Sequence, residues 1–141
     1  MSDTILQADV VDRPISTEEV AGLVASATAG AVVTFAGVVR DHDGGRTVTS
    51  LQYESHPTAA GEIAAVAASI AEAYPDVRIA VLHRVGALRI GDVALAAAVA
   101  SAHRAEAFAA CALLVDTVKE RVPIWKHQVF ADGSDEWVAA L

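Results

Sequence analysis

Apolar segments of two kinds alternate along this chain, and their irregular order restricts the fold more than any other feature. Segments rich in β-branched residues predict strands, whereas segments with apolar residues at helical spacing predict helices. The predicted strands are residues 4–11, 30–40, 46–55, 77–86, 92–102 and 123–131. The predicted helices start at Thr17, cover residues 56–74, and run from Ala102 to Lys119 or Glu120. Because the two kinds mix without a strict βαβ order, the pattern favours an α+β fold.

Local signals define several boundaries. Ser16 and Glu19 match a capping box, and Ile15 with Val20 matches the hydrophobic staple that accompanies one. The turn sequence "DHDGG" separates the second and third predicted strands, which predicts that these two strands form a hairpin. The alanine-rich segment 92–102 also suits a helix, but its place between Gly91 and the next helix cap favours a strand.

The third predicted helix has Ser101 as its N-cap and is stopped by Pro123. Its predicted buried stripe consists of Phe108, Cys111, Ala112, Val115 and Val118. We interpret Cys111 as a core residue rather than a nucleophile. Trp125 and Trp137 are interpreted as packing residues.

Composition narrows the class of protein. A chain of 141 residues, 54% hydrophobic and 20% charged, predicts one globular domain spanning residues 1–141. The formal net charge of −8 argues against broad binding to nucleic acid or acidic membranes. The N-terminus lacks a signal-peptide pattern, and no apolar stretch is long enough to span a membrane. A single cysteine fits a cytoplasmic location.

The only two lysines lie in "VKERVPIWKHQ", on either side of Pro123, while the other eight basic residues are arginines. A desolvated lysine can release its proton and act as a base or nucleophile, which arginine cannot do. In the strand after Pro123, alternation places Lys126 on one face with Gln128 and places His127 on the other. This basic segment in an acidic chain indicates either a pocket for a small anion or a solvated charged turn.

A second candidate is "SAHRAE", which puts His103 and Arg104 in the first turn of the third helix. Cations are unfavourable there unless an anion binds, because the helix N-terminus already carries positive potential. The alternative is that Arg104 is solvated or pairs with Glu106. Along one helix, His103 and Lys119 are about 24 Å apart, so either they belong to two separate sites or a second chain completes a shared pocket.

Other candidates carry weaker signals. Arg40 and Arg46 flank the "DHDGG" turn and could reach an anion, although arginines beside turns are commonly solvated. The five histidines show no metal-ligand spacing, so no metal is expected. The chain has no P-loop, GxGxxG or GxSxG motif in a suitable context, and no cofactor is expected.

The segments "TFAGVVRDHDGGRTVTSLQYESHP", "VLHRVGALRIGD", "SAHRAEAF" and "VKERVPIWK" resemble, in order and spacing, the large catalytic subunit of molybdopterin synthase, the MoaE family. The resemblance covers about residues 30 to 137. It implies an α/β-hammerhead-like domain with an additional antiparallel β subdomain. It also implies transfer of sulfur to cyclic pyranopterin monophosphate (precursor Z), forming the dithiolene of molybdopterin. The sulfur donor would be the C-terminal Gly-Gly thiocarboxylate of a small ubiquitin-like subunit, in a heterotetramer built on a homodimer core.

The resemblance also assigns roles to residues of this chain. Lys119 and Lys126 would be catalytic, with Lys119 nearest the thiocarboxylate, and Lys126 and Arg40 would hold the phosphate or the developing anion. His103 and Arg104 would come from the neighbouring subunit and bind the pterin phosphate. The implied substrate-binding residues are Val38, Val39, Arg40, His103, Arg104, Lys119, Lys126, His127 and Gln128.

Two readings without chemistry remain as alternatives. One is a non-catalytic dimeric module that binds a phosphorylated metabolite, and it should tolerate Lys119→Arg, whereas a titratable amine in catalysis should not. The other is a scaffold that only docks a partner's tail, and it would tolerate loss of His103 and Arg104.

Overall fold

The computed structural model describes residues 4–139, which form two sheets and three helices. The strands are β1 (Ile5–Val11), β2 (Ala31–Val38), β3 (His42–Asp43), β4 (Arg46–Ser55), β5 (Arg78–Arg84), β6 (Gly86–Leu88), β7 (Val93–Ser101), β8 (Ile124–Phe130) and β9 (Asp135–Ala139). The helices are α1 (Thr17–Val24), α2 (Ala59–Ala73) and α3 (Arg104–Arg121). The predicted α+β class is confirmed.

The first sheet has the strand order β1-β5-β7-β2 and helices on both faces. β1 runs parallel to β5, and the other two pairings are antiparallel. The alanine-rich β7 is buried on both faces, since Ala96 and Ala98 pack with α1 while Ala97 and Val99 pack with α2 and α3. The strand predicted for residues 92–102 is therefore confirmed, and its small side chains let helices approach the sheet from both sides.

The second sheet has the order β3-β4-β8-β9, and β6 also pairs with β4. The two sheets meet at Val39, whose N–H donates to the Asp92 carbonyl at 2.9 Å and whose carbonyl accepts from Gly91 N–H at 2.8 Å. Val39 is buried there with Leu51 and Leu88. The chain thus crosses from the first sheet to the second immediately after β2.

The predicted hairpin between residues 30–40 and 46–55 is wrong. β2 pairs along its length with β7, and β4 pairs with β8 and β6. Only the two-residue β3 forms a hairpin with β4, closed by Gly44 and Gly45 at φ +57° and +79°. The turn residues were correctly recognised, but the buried face of β2 belongs to the first sheet, and local turn chemistry carries no information about that partner.

The predicted start of α1 is confirmed, and one of the two hydrogen bonds of the predicted capping box is formed. The Ser16 hydroxyl accepts from Glu19 N–H at 3.1 Å, and Ile15 and Val20 are buried in the same cluster. The Glu19 side chain turns away from Ser16 and pairs with Arg13 at 2.7 Å. The strong guanidinium partner replaces the second capping bond.

The predicted start of α3 is wrong by two residues. Ser101 is the last residue of β7 and is buried opposite Ala31, so the N-cap is His103, which makes no side-chain capping bond. The predicted stripe is correct at Cys111, Val115 and Val118, but Phe108 is 60% exposed and Ala112 is exposed. The face toward the sheet also contains Ala107, Ala110 and Leu114. Small residues pack closest to the sheet, and the aromatic side chain is left outside.

Candidate active site

A cavity of about 240 Å³ opens where the two sheets meet. Its walls come from the end of β2, from β4, β5, β7 and β8, and from the last turns of α3. The lining residues are Gly37, Val38, Val39, Arg40, Val48, Leu51, Tyr53, His83, Ala94, Leu95, Lys119, Lys126 and Gln128. Six of the nine substrate-binding residues predicted from the sequence lie in this set: Val38, Val39, Arg40, Lys119, Lys126 and Gln128.

The two lysines reach the cavity from different elements. Lys119 lies in the last turn of α3, and Lys126 lies on β8 opposite Tyr53 of β4. The break after Arg121 and the return of the chain at Pro123 turn the two amines, seven residues apart, toward one space. The predicted alternation along β8 is confirmed, since Lys126 and Gln128 line the cavity and Trp125 does not.

Lys119 is the more perturbed of the two amines. Burial lowers its pKa, and repulsion from the Lys126 ammonium lowers the pKa further. Both causes act against the charged form, because desolvation and a like charge each penalise an ammonium. A larger fraction of Lys119 is therefore neutral near pH 7 than for a lysine in water, and a neutral amine can accept a proton or attack a carbonyl.

A polar network lies along the Arg40 and Gln128 side of the cavity. The Gln128 side-chain amide donates to Asp43 Oδ2 at 2.7 Å and to Glu136 Oε1 at 3.1 Å. Asp43 Oδ1 lies 3.5 Å from the Arg40 guanidinium. The hydrogen bond from Gln128 lowers the pKa of Asp43, and the positive charges of Lys126 and Arg40 lower the pKa further. Asp43 is therefore a carboxylate at neutral pH.

His83 also lines the cavity, and the sequence analysis did not single it out. The side chain is 5% exposed, its Nδ1 lies 2.9 Å from the Arg84 carbonyl, and its ring packs edge-on against Tyr53. Burial and, to a smaller extent, the charge of Lys119 together lower the pKa of His83 to about 4, although the hydrogen bond to the Arg84 carbonyl acts in the opposite direction. The imidazole is neutral at pH 7, with Nδ1–H donating to the carbonyl. A histidine within an apolar strand pattern gives no sign that it faces a cavity.

His127 lies on the other face of β8. Its Nε2 is 2.6 Å from Asp135 Oδ2, and its ring stacks on Trp137 at 4.6 Å between centroids. Trp125 and Trp137 are 50% and 54% exposed, so their interpretation as packing residues is wrong. They cover the outer face of the second sheet rather than a core.

His103 and Arg104 are also outside the cavity. They line an open hollow of about 450 Å³ together with Gly30, Ala31, Ala102 and Ala105. α3 is continuous from Arg104 to Arg121, which confirms the premise that His103 and Lys119 lie at opposite ends of one helix, about 24 Å apart. Within one chain, the structure does not bring these groups together.

Two further observations concern metal ions and membranes. Among residues 4–139, no group of three or more His, Cys, Asp or Glu side chains is arranged to hold a metal ion. No helix in the same part of the chain is long and apolar enough to cross a membrane. The polar side chains that line the cavity are two amines, one guanidinium, one amide, the Tyr53 phenol and a neutral imidazole.

Comparison with known proteins gives consistent matches. A family model described as "MoaE protein" matches residues 10–121. A molybdopterin synthase catalytic subunit from Nostoc sp. is 41% identical over 128 residues, covering 89% of this chain and 78% of the relative. Molybdopterin synthase catalytic subunit 1 of Mycobacterium tuberculosis is 38% identical, covering 92% of this chain and 88% of the relative.

Solved structures agree with this. The crystal structure of molybdopterin synthase from Staphylococcus aureus has a TM-score of 0.87 at 35% identity, covering 94% of this chain and 96% of that chain. A molybdopterin biosynthesis MoaE protein from Burkholderia ambifaria has a TM-score of 0.77 at 27% identity, and the match covers 99% of this chain and 90% of that chain. The fold and the sequence therefore point to the same relatives.

Proposed function

The chain belongs to the MoaE family of molybdopterin synthase catalytic subunits, and from this we propose the reaction that its cavity carries out. The sulfur of a C-terminal Gly-Gly thiocarboxylate on a small ubiquitin-like subunit is transferred to cyclic pyranopterin monophosphate. Two transfers produce the dithiolene of molybdopterin. Water hydrolyses the acyl–sulfur bond in each transfer and leaves a carboxylate on the carrier, so two carriers are used for each product.

One observation carries this proposal: two amines enter one cavity, and the pKa of Lys119 is lowered by burial and by Lys126. A thiocarboxylate and a phosphorylated pterin are both anionic, so a site for both needs several cations. Acyl chemistry at the carrier carbonyl also needs a group that can change its protonation state. Lys119 meets the second requirement better than an ordinary lysine does, because burial and the charge of Lys126 both lower its pKa and favour the neutral amine.

The other cavity groups suit the binding of an anion. Lys126 and Arg40 would hold the phosphate or the charge that develops during transfer, and such contacts typically supply a few kcal/mol each in a desolvated site. Gln128 contributes an N–H donor from the cavity wall. Val38 and Val39 form an apolar surface beside the donors, which suits the flat pterin ring.

We also propose that the working site needs two copies of this chain. His103 and Arg104 lie about 24 Å from Lys119 along α3, so they can serve this cavity only from a second protomer. Exposed apolar side chains on the edge strand β2 and on α3 support an interface between copies: Val32, Phe108 and Leu113. The assembly is a homodimer with one small subunit at each end, a heterotetramer in the cytoplasm.

The direct test combines the protein with a thiocarboxylated Gly-Gly carrier and precursor Z. Mass spectrometry should detect a product that contains two carrier-derived sulfurs, together with carrier that has lost its sulfur. Carrier bearing an ordinary carboxylate is the matched control and should give no product. Unchanged precursor Z in the presence of intact thiocarboxylate would contradict the proposed activity.

A further inference from the structure

Asp43 is held by groups that belong to the cavity wall. Its Oδ2 accepts from Gln128 Nε2 at 2.7 Å, and its Oδ1 lies 3.5 Å from the Arg40 guanidinium. Lys126 and Arg46 also act on the Asp43 carboxylate by charge. The cavity is lined by Gln128, Arg40 and Lys126 but not by Arg46. The three lining partners come from β8 and from the segment after β2, whereas Asp43 comes from the short strand β3.

The arrangement is that of a bound anion. An amide N–H and a guanidinium contact the carboxylate, an ammonium acts on it by charge, and groups of these kinds also bind phosphate. Glu136 shares the Gln128 amide, but its ion pair is with Arg46 at 3.2 Å, which is not a lining residue of the cavity. Asp43 is thus the carboxylate that meets both Gln128 and Arg40.

The strand that carries Asp43 can move without disturbing a core. β3 pairs with β4 through two residue pairs, His42 with Thr47 and Asp43 with Arg46. The turn beyond it consists of Gly44 and Gly45, and the space around both is open. None of the residues from 41 to 47 is buried, so displacing the carboxylate removes no side chain of this segment from a core.

We propose that Asp43 occupies an anion subsite formed by Arg40, Lys126 and Gln128, and that the phosphate of an incoming substrate replaces its carboxylate there. The identity of the phosphate compound rests on the proposed function, whereas the subsite itself would accept any accessible phosphate. The carboxylate accepts from Gln128, faces Arg40 and reduces repulsion between the neighbouring cations. It also competes with the ligand, and so it sets the affinity.

The test measures the binding of inorganic phosphate by isothermal titration calorimetry at fixed low ionic strength, with no carrier present. Asp43→Asn keeps the size of the side chain and removes its charge. Asp135→Asn is the matched control, because it changes the net charge equally but lies with His127 on the outer face of β8. Phosphate should bind Asp43→Asn about fivefold more tightly than the unmodified protein. This is the effect expected when phosphate no longer has to displace one partly exposed ion pair.

Asp135→Asn should change phosphate affinity much less than Asp43→Asn does. Equal tightening in both variants would show a general charge effect and overturn the subsite. Weaker binding by Asp43→Asn, or no phosphate binding by either protein, would also overturn it. Melting temperatures of both variants establish that each is folded. Failure of sulfur transfer in the product assay would instead overturn the proposed function, because the phosphate titration contains no sulfur donor.

Discussion

At the scale of single residues, Lys119 is placed where an amine is poorly solvated and close to another cation. Both conditions lower its pKa, burial more than Lys126. Such a position disfavours the charged form of Lys119, so keeping the amine protonated costs free energy in the folded protein. A lysine on the surface would not lose stability in this way. The arrangement favours reactivity over stability, as is common at active sites.

Lys119→Ala should reduce sulfur transfer by about a hundredfold or more, because it removes an acid–base group from the site. Lys119→Arg should be nearly as inactive, since a guanidinium keeps the charge but does not release its proton. Single-turnover formation of the dithiolene product measures both. Near-normal turnover by Lys119→Arg would favour a role in anion binding alone.

Lys126 should control the pH dependence of the reaction through Lys119. If the neutral amine of Lys119 is the active form, the rate rises with pH through its lowered pKa. Lys126→Met removes a neighbouring positive charge, so the pKa of Lys119 should increase toward its ordinary value. The rise in rate should therefore occur at higher pH, whether or not the maximum rate also falls. If the rate of Lys126→Met rose at the same pH as the rate of the unmodified protein, the charge of Lys126 would have no effect on the pKa of Lys119.

His83 should make the fold sensitive to acid. Its pKa is lowered to about 4, so the unfolded chain takes up a proton between about pH 6.5 and pH 4 while the folded protein does not. Stability is therefore complete above about pH 6.5 and falls as the pH decreases to 4, by up to about 3 kcal/mol. Urea unfolding at several pH values should show this slope. His83→Gln should flatten the slope, and an unchanged slope in that variant would assign the acid sensitivity to other groups.

At the scale of elements, two glycines differ in what surrounds them. A Cβ on Gly30 would lie 2.7 Å from the Ala102 carbonyl oxygen, whereas a Cβ on Gly22 would meet nothing within 4 Å. Gly30 precedes β2, and Ala102 lies between β7 and α3. The close approach holds the start of α3, and with it His103, against the edge of the first sheet.

Gly30→Ala should destabilise the protein by about 1–3 kcal/mol, because the backbone near Ala102 has to shift. Gly22→Ala in α1 should stabilise it by about 0.5–1 kcal/mol, because alanine has the higher helix propensity and the space is open. Chemical denaturation of the two variants measures the difference. Equal effects would show that the contact at Gly30 relaxes without cost.

The elements also show what sequence patterns can and cannot define. The start of α1 followed from the capping signals, and the β7 strand followed from its position despite its alanines. The partner of β2 did not follow, because a turn motif reports a change of direction and not which strand lies opposite. Phe108 was assigned to the core because helical spacing alone does not show which side chains the sheet has room for.

At the scale of the whole molecule, the cavity residues Val38–Arg40, Lys119, Lys126 and Gln128 were identified from the resemblance, and the fold brings them together. The solitary lysines were a visible signal in the sequence. The sequence patterns did not identify Asp43 or His83 as site residues. Asp43 joins the site through its contact with Gln128, between β3 and β8, and His83 joins it because its strand is buried against the cavity. Such contacts between distant segments are set by tertiary structure, and a single sequence does not display them.

A site shared between chains predicts complementation. Lys119→Ala and a double His103→Ala, Arg104→Ala variant should each be inactive alone. Subunit exchange between equal amounts gives about half mixed dimers, each with one intact site, so about a quarter of full activity should return. Product formation after co-refolding measures this. Activity that stays at the level of the separate variants would place all the required groups within one chain, or none at residues 103 and 104.

The cavity lies between two hydrogen-bonded sheets, and this affects how a ligand would bind. Its walls are strands whose backbone partners are already fixed, so they do not depend on a ligand to hold their shape. A preorganised site loses little conformational entropy on binding. Most of the adjustment would then fall on the glycine-tipped β3–β4 turn, so we expect a small entropic penalty and backbone shifts confined to that turn.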